Sequence, residues 1–328
     1  MILLAAQFVR AETNLPVATA LLLDDKTAFS LIAGLQKYEP IPALTGKLSS
    51  SGSGITTILV NRWAAEFSTI YPGVEFGIHG GGTALGLPAL LEGSTDLVPS
   101  GRALPAEDVE RFKAKFGYEP AQITVAQDAV GIYVNKRNPI AGLTLAQLDA
   151  IYSQEAKRGG GRPEFWRELR VTGPLADRLI NQVCLNRQSD HNLFFREEVM
   201  QGADYRLDVR FELEPSALAQ ASGADEAAIS FASVMFATAR TRFVPLQARD
   251  GRYLLPSYQN TMGGDYPLVR PMRIVFNRKP DGSMNPVARE FLRFAVGRRG
   301  QQIIALAGSY PLTVEQQKEA LRIIDGTP

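Results

Sequence analysis

The sequence predicts an α/β protein in which parallel sheets are flanked by helices. Two observations predict it. Strand-like and helix-like stretches alternate throughout, the order that lays parallel strands beneath crossover helices. In addition, three loops made largely of Ser, Thr and Gly each lie between a strand and a helix start: "SSSGSGI", "GIHGGGTALG" and "PSGRALPAEDV". In folds of this kind ligands bind beyond the carboxyl ends of the strands, at helix N-termini.

Taken in order, residues Thr13 to Gly46 are mixed and punctuated by proline, and read as a lead-in. Leu48 ends a short strand, and Ser49 to Gly54 form a loop. Val60, Trp63, Ala64, Phe67 and Ile70 recur at helical spacing, which predicts a helix from about Thr56 to Ile70. Pro72-Gly73 stops it. "VEFGIH" is a strand, and a helix follows over Leu85 to Glu92. "TDLVPS" is the next strand and "LPAEDVERFKAKFG" the next helix. "ITVAQDAVGIYVN" is a strand pair or one long strand, and "TLAQLDAIYS" a helix with Thr144 as its N-cap.

The glycine loop after "VEFGIH" suits an anion. Glycine lets the backbone approach a ligand closely, and the helix behind it points free N–H groups and a partial positive charge at whatever sits there. A nucleotide fits poorly: no Lys follows Gly86 as a phosphate loop requires, and Gly80, Gly82 and Gly86 miss the dinucleotide spacing. A strand-to-helix turn without ligand explains any one such loop equally well. Three of them in one lobe, with Arg102 in the third, favour an anion site.

Composition narrows the function classes. A chain of 328 residues can form two lobes, each with its own core. Apolar content is 45% and charged content 21%, as in ordinary globular proteins. A formal net charge of +1 argues against nucleic-acid binding through bulk charge. One cysteine, Cys184, rules out an internal disulfide and a multi-cysteine metal site, and two histidines, His79 and His191, leave little for zinc. No stretch reaches the ~18 apolar residues of a membrane span. "MILLAAQFVRA" lacks a positive n-region, and reads either as the remnant of a secretory signal or as an N-terminal strand.

Several longer segments carry a resemblance. They include "SSSGSGITTILVNRWAAEF", "YPGVEFGIHGGGTALGLPALLEGSTDLVPSGRAL", "NPIAGLTLAQLDAIYS", "KRGGGRPEFWRELRVTGPLADRLI", "GGDYPLVRPMRIVFNRKP" and "NPVAREFLRFAVGRRGQQIIALAGSYPLT". Through these, from Gly46 to about Leu312, the chain resembles the phosphate-binding proteins of bacterial ABC phosphate uptake systems. The stretch Lys157-Arg158 followed by three glycines, with Trp166, is similar to one branch of that family. The resemblance implies a two-lobed class II periplasmic binding protein fold, with mixed, mainly parallel sheets and two crossover strands. The chain then crosses out near Gln127 to Val134 and returns near Tyr266 to Ile274, with Pro267 at the start of the returning strand. Residues 1–45 are the lead-in, 46–128 with 272–328 the first lobe, and 129–271 the second.

The resemblance also implies a site. The first loop offers backbone N–H groups of Ser53, Gly54 and Ile55, although Gly54 and Ile55 lack the family's hydroxyl or carboxylate. Thr83 keeps a hydroxyl in the second loop, and Arg102 remains in the third while Gly101 replaces its usual polar neighbour. From the second lobe come Arg187 and Ser189, but the family's Ser-Gly-Thr turn is absent and Asp190, His191 and Asn192 stand there. Arg102 and Arg187 are expected to face each other across the cleft. Asp190 accepts a proton from the ligand, repels it, or caps a helix.

The function implied by the resemblance is that of a non-enzymatic binding protein for phosphate or a related oxyanion, delivering it to an ABC permease. The alternative is a binding fold with a degenerate site, acting as a sensor, scaffold or adhesion factor. Catalysis is not expected: adjacent Ser189, Asp190 and His191 on one turn cannot form a relay of nucleophile, base and orienter. No cofactor, metal or nucleic acid is implied. The chain is expected to be a monomer, periplasmic or secreted, and without a lipid anchor, since no cysteine lies near the start.

Overall fold

A computed structural model describes residues 30–326, so the signal reading of "MILLAAQFVRA" lies outside the described residues. Among the described residues eleven strands are formed, and the main sheet runs in the order β2-β1-β3-β11-β4-β7-β5-β6, with β8 also on β4. The first half comprises β1 (Gly46–Ser51), β2 (Val74–His79), β3 (Leu97–Ser100) and β4 (Ala121–Asn135). The second half comprises β5 (Asn181–Leu185), β6 (Arg210–Glu212), β7 (Ala228–Ser233), β8 (Thr241–Phe243), β9 (Leu246–Gln247), β10 (Tyr253–Leu254) and β11 (Val269–Phe276). β9 and β10 form a separate small hairpin.

The expected alternation is present. Helix α1 (Gly54–Ile70) connects β1 to β2, α2 (Thr83–Glu92) connects β2 to β3, and α3 (Ala106–Phe116) connects β3 to β4. β1 pairs in parallel with both β2 and β3. One boundary differs from the sequence reading: β1 continues to Ser51, because Ser49, Ser50 and Ser51 keep their ladder partners Gly77, Ile78 and His79. "ITVAQDAVGIYVN" is one long strand. Helix α4 (Leu145–Tyr152) starts at Thr144 through a capping box with Gln147.

Two lobes follow from two cores. In the first, α1 lays Trp63 and Phe67 against α8 (Pro286–Val296), with Phe67 and Phe291 edge to face at 5.4 Å. Trp63 Nε1 donates to the Gly300 carbonyl at 2.9 Å, at the start of α9 (Arg298–Ala307). Met272, Ile274 and Phe276 of β11, and Ile324 of α10 (Val314–Asp325), belong to this same core. Leu35 is buried and Tyr38 packs edge-on to Phe294, so part of the lead-in segment lies against this lobe.

The second core surrounds β7, whose six residues are all buried, as in a strand covered on both faces. Phe195 of α5 (Asp190–Glu198) stacks on Phe231 of β7 at 3.7 Å. Helix α6 (Pro215–Ala224) leads into β7, and α7 (Tyr258–Met262) precedes β11.

β4 and β11 join the lobes. They run antiparallel from Val269 opposite Ala129 to Phe276 opposite Ala121, with an irregularity between Met272 and Arg273. Pro271 sits inside β11, opposite Gln127, whose backbone N–H and C=O both bond to Tyr310 instead. No ladder donor is missed there, which is why the strand tolerates a proline.

The glycine loop and α2 pack tightly on β1. A Cβ on Gly86 would lie 2.3 Å from the Ser51 carbonyl oxygen and 2.5 Å from Val98 Cγ1. Gly86→Ala is therefore expected to destabilise the protein by about 1–3 kcal/mol through overpacking, read as a lower midpoint in chemical denaturation. A Gly54→Ala control, where nothing lies within 4 Å, should cost less.

Candidate functional site

The three first-lobe loops end at one place, and α5 of the second lobe points its N-terminus at them. Ser53 precedes α1 with no side-chain capping bond, and Gly82 precedes α2 in the same way at φ 99°. Neither helix carries an acidic residue in its first turn. Their leading N–H groups and the positive ends of their dipoles are thus left for a ligand. Ser53 is fixed by its own N–H, which donates to the Pro99 carbonyl at 2.8 Å, and Gly82 N–H donates to Gly52 at 3.0 Å. These bonds hold the first two loops and β3 together.

A cavity of about 470 Å³ opens between the lobes. Ser53, Gly54, Ile55 and the three glycines 80–82 line it on one side, and Ser189, Asp190 and His191 on the other. Thr83 and Arg102 reach the same point through Asp190: Thr83 Oγ1 donates to Asp190 Oδ2 at 2.8 Å, and Arg102 Nε stands 4.0 Å from Oδ1. Asp190 is only 7% exposed. Arg102 Nε is buried and, among the described residues, has no hydrogen-bond partner.

Seven of the eight residues expected at the site thus lie together. Arg187 does not line the cavity. It is exposed, and its guanidinium lies over the Phe211 ring at 5.0 Å. The expected guanidinium pair across the cleft is therefore replaced by a different arrangement. The turn from Asn186 to Ser189 is tied by Ser189 N–H to the Asn186 carbonyl at 3.1 Å, which leaves Arg187 on its outer side with β6.

The second guanidinium is Arg270, on β11. Its Nε and Nη2 donate to Asp128 Oδ2 on β4 at 3.0 and 2.8 Å. Both residues are almost wholly buried. Asp128 Oδ1 accepts from Ser233 Oγ at 2.6 Å. Burial pushes the Asp128 carboxyl up, and the Arg270 guanidinium and the Ser233 hydroxyl oppose that shift. Arg270 Nη1 is buried without a partner among the described residues, and a Cβ on Gly101 would lie 3.2 Å from it. The sequence carried one signal for this residue, an arginine between apolar neighbours in a strand expected to cross between lobes.

The turn that replaces the family's Ser-Gly-Thr divides its tasks. Ser189 is the N-cap of α5, accepting from Asn192 N–H at 3.2 Å, so Asp190 is not the cap. Asn192 Nδ2 donates to the Leu185 carbonyl at 2.6 Å and tethers α5 to β5. His191 Nε2 faces the Ser233 N–H at 2.9 Å and Arg270 Nη2 at 2.9 Å. With two donors aimed at it, this nitrogen is the acceptor of a neutral ring. Burial and the Arg270 charge hold its pKa well below the ordinary histidine range.

Two α/β lobes joined by two strands, with polar loops and unpartnered cationic N–H groups around the cleft between them, have the build of a solute-binding protein. The family profile described as PBP superfamily domain matches residues 39–299. The phosphate-binding protein PstS of Pseudomonas aeruginosa is 30% identical over 290 residues, covering 88% of this chain and 90% of that one. The protein SphX of Synechococcus elongatus is 23% identical, covering 89% and 82%. A putative phosphate ABC transporter substrate-binding protein from Clostridium perfringens, solved with bound phosphate, superposes with a TM-score of 0.67. It shares 22% identity and covers 82% of this chain and all of its own. The chain belongs to the PBP superfamily, in the family of PstS.

His191 makes the fold acid-sensitive. The unfolded chain takes up a proton on this residue near pH ~6.5, whereas the native ring resists it. Below that pH the unfolded state binds more protons, so stability is full above about 6.5 and falls as the pH drops. His191→Gln, which keeps an acceptor for Ser233, should remove up to ~1.4 kcal/mol per pH unit of that slope between about pH 6.5 and 5. Denaturation midpoints of both proteins across that range check it.

Proposed function

We propose that this chain binds phosphate in the cleft between its lobes and serves ABC-type phosphate uptake outside the cytoplasm. The observation that carries the reading is the convergence of open helix N-termini with two buried guanidinium nitrogens that lack partners among the described residues, Arg102 Nε and Arg270 Nη1. Orphaned buried donors of this kind are costly unless a ligand accepts from them. An oxyanion offers several acceptor oxygens in a small volume, and charge-assisted bonds to guanidinium are the strongest available to it. The name of the Pseudomonas relative supports the same ligand.

In this reading the ligand's partners are the backbone N–H groups of Gly54 and Ile55, the Thr83 hydroxyl, Arg102, Arg270 and the α5 start at Ser189 and Asp190, while Ser53, whose own N–H is taken by the Pro99 carbonyl, lines the cleft with its side chain. We take residues 46–128 with 272–326 as the first lobe, with Leu35 and Tyr38 of the lead-in packed on it, and residues 129–271 as the second. The protein acts as a monomer without enzymatic activity, hands phosphate to a membrane permease, and resides in the periplasm or is secreted. Among the described residues no helix is long and apolar enough to cross a membrane. A second reading, a sensor or scaffold with reduced affinity, is favoured by the carboxylate of Asp190 inside the cleft.

Calorimetric titration of the phosphate-stripped protein tests the ligand. Phosphate should bind one to one. Arg102→Ala should weaken binding by about 1.5–3 kcal/mol, roughly ten- to a hundredfold, as a charge-assisted bond is lost. Arg187→Ala should change it less than about twofold, since that side chain stacks on Phe211 at the surface. No heat with phosphate, in a protein that is folded, would overturn the reading.

A further inference from the structure

Asp190 occupies an odd position for a residue of an anion site. It is the first residue of α5, on the second lobe, and Thr83 opens α2, on the first. Their 2.8 Å bond therefore ties the lobes across the cleft. The other carboxylate oxygen lies 4.0 Å from Arg102 Nε, again across the cleft. These two first-lobe groups are ones that the oxyanion reading gives to the ligand.

The carboxylate resembles that ligand chemically. It carries a negative charge and oxygen acceptors, and it sits at the positive end of the α5 dipole, which favours it there. It is attached to the chain, so its effective concentration at Thr83 and Arg102 is set by the fold and not by the solution. We propose that Asp190 is an internal ligand: it closes the cleft without solute, and an oxyanion must compete with it for Thr83 and Arg102. Asp190 thereby sets the affinity of the site and couples solute binding to exchange of one anion for another. Asp128 answers Arg270 at 2.8 Å and Asp190 stands 4.0 Å from Arg102, so each of these guanidinium groups faces a carboxylate before any solute arrives.

This inference rests on the oxyanion reading, and the test separates the two. Small-angle scattering of the phosphate-stripped protein reads lobe closure without any ligand. Wild type should have the same radius of gyration with and without phosphate. Asp190→Ser and, independently, Thr83→Val should each be more open when stripped, with circular dichroism showing both folded. Asp190→Ser should also bind phosphate at least about tenfold tighter than wild type, because a competing negative charge is removed and a donor added. Two folded variants as compact as the stripped wild type would overturn the inference and leave the oxyanion reading intact. Opening of Asp190→Ser with unchanged phosphate affinity would overturn the competition. Opening of both variants, with phosphate binding to none of the three proteins, would uphold the closure by Asp190 and remove the oxyanion reading.

Discussion

The pair of Arg270 and Asp128 is the constraint around which the cleft is arranged. It joins the two crossover strands at the level where they pass between lobes, and both side chains are almost wholly buried. Taking two ions out of water costs several kcal/mol per ion, and attraction offsets this only where geometry is good and the remaining donors and acceptors are met. The structure meets them from the second lobe. Ser233 donates to the free oxygen of Asp128, and His191 offers an acceptor to Arg270 Nη2. Satisfying the pair therefore fixes where β7 ends and where α5 begins.

The position of the cleft residues is a consequence of that pair. His191 is held between Ser233 and Arg270, so its neighbour Asp190 is carried to the mouth of the first-lobe loops. Of the Arg270 nitrogens, Nη1 is left without a partner among the described residues, and it faces the third loop at Gly101. A buried structural pair and the proposed site thus share one guanidinium. The same residue that holds the crossover strands together presents a donor beside the cleft.

The fold was legible in the sequence because its signals are local. Apolar spacing gave α1, and Ser-Gly loops gave the strand-to-helix joints. The Thr144 and Gln147 pair gave the start of α4. The site was legible wherever it consists of loops that come after strands, as at Ser53, Thr83 and Arg102. It was not legible where it depends on direction. An arginine in "NRQSDHN" can stand inside or outside its turn, and a single backbone bond at Ser189 together with the Phe211 ring puts Arg187 outside. Arg270 was hidden for the opposite reason. Its partner Asp128 lies 142 residues away in sequence, and no spacing relates them until β4 and β11 pair.

The residues at positions 101 and 190 stand against each other across the cleft. A side chain at 101 would start with a Cβ 3.2 Å from Arg270 Nη1, 3.6 Å from Ser53 Oγ and 3.7 Å from Asp190 Cβ. The first of these is tighter than ordinary contact, and anything beyond Cβ would have to share the space with the Asp190 side chain. Glycine at 101 leaves that space open, and the carboxylate from the opposite lobe occupies the neighbourhood.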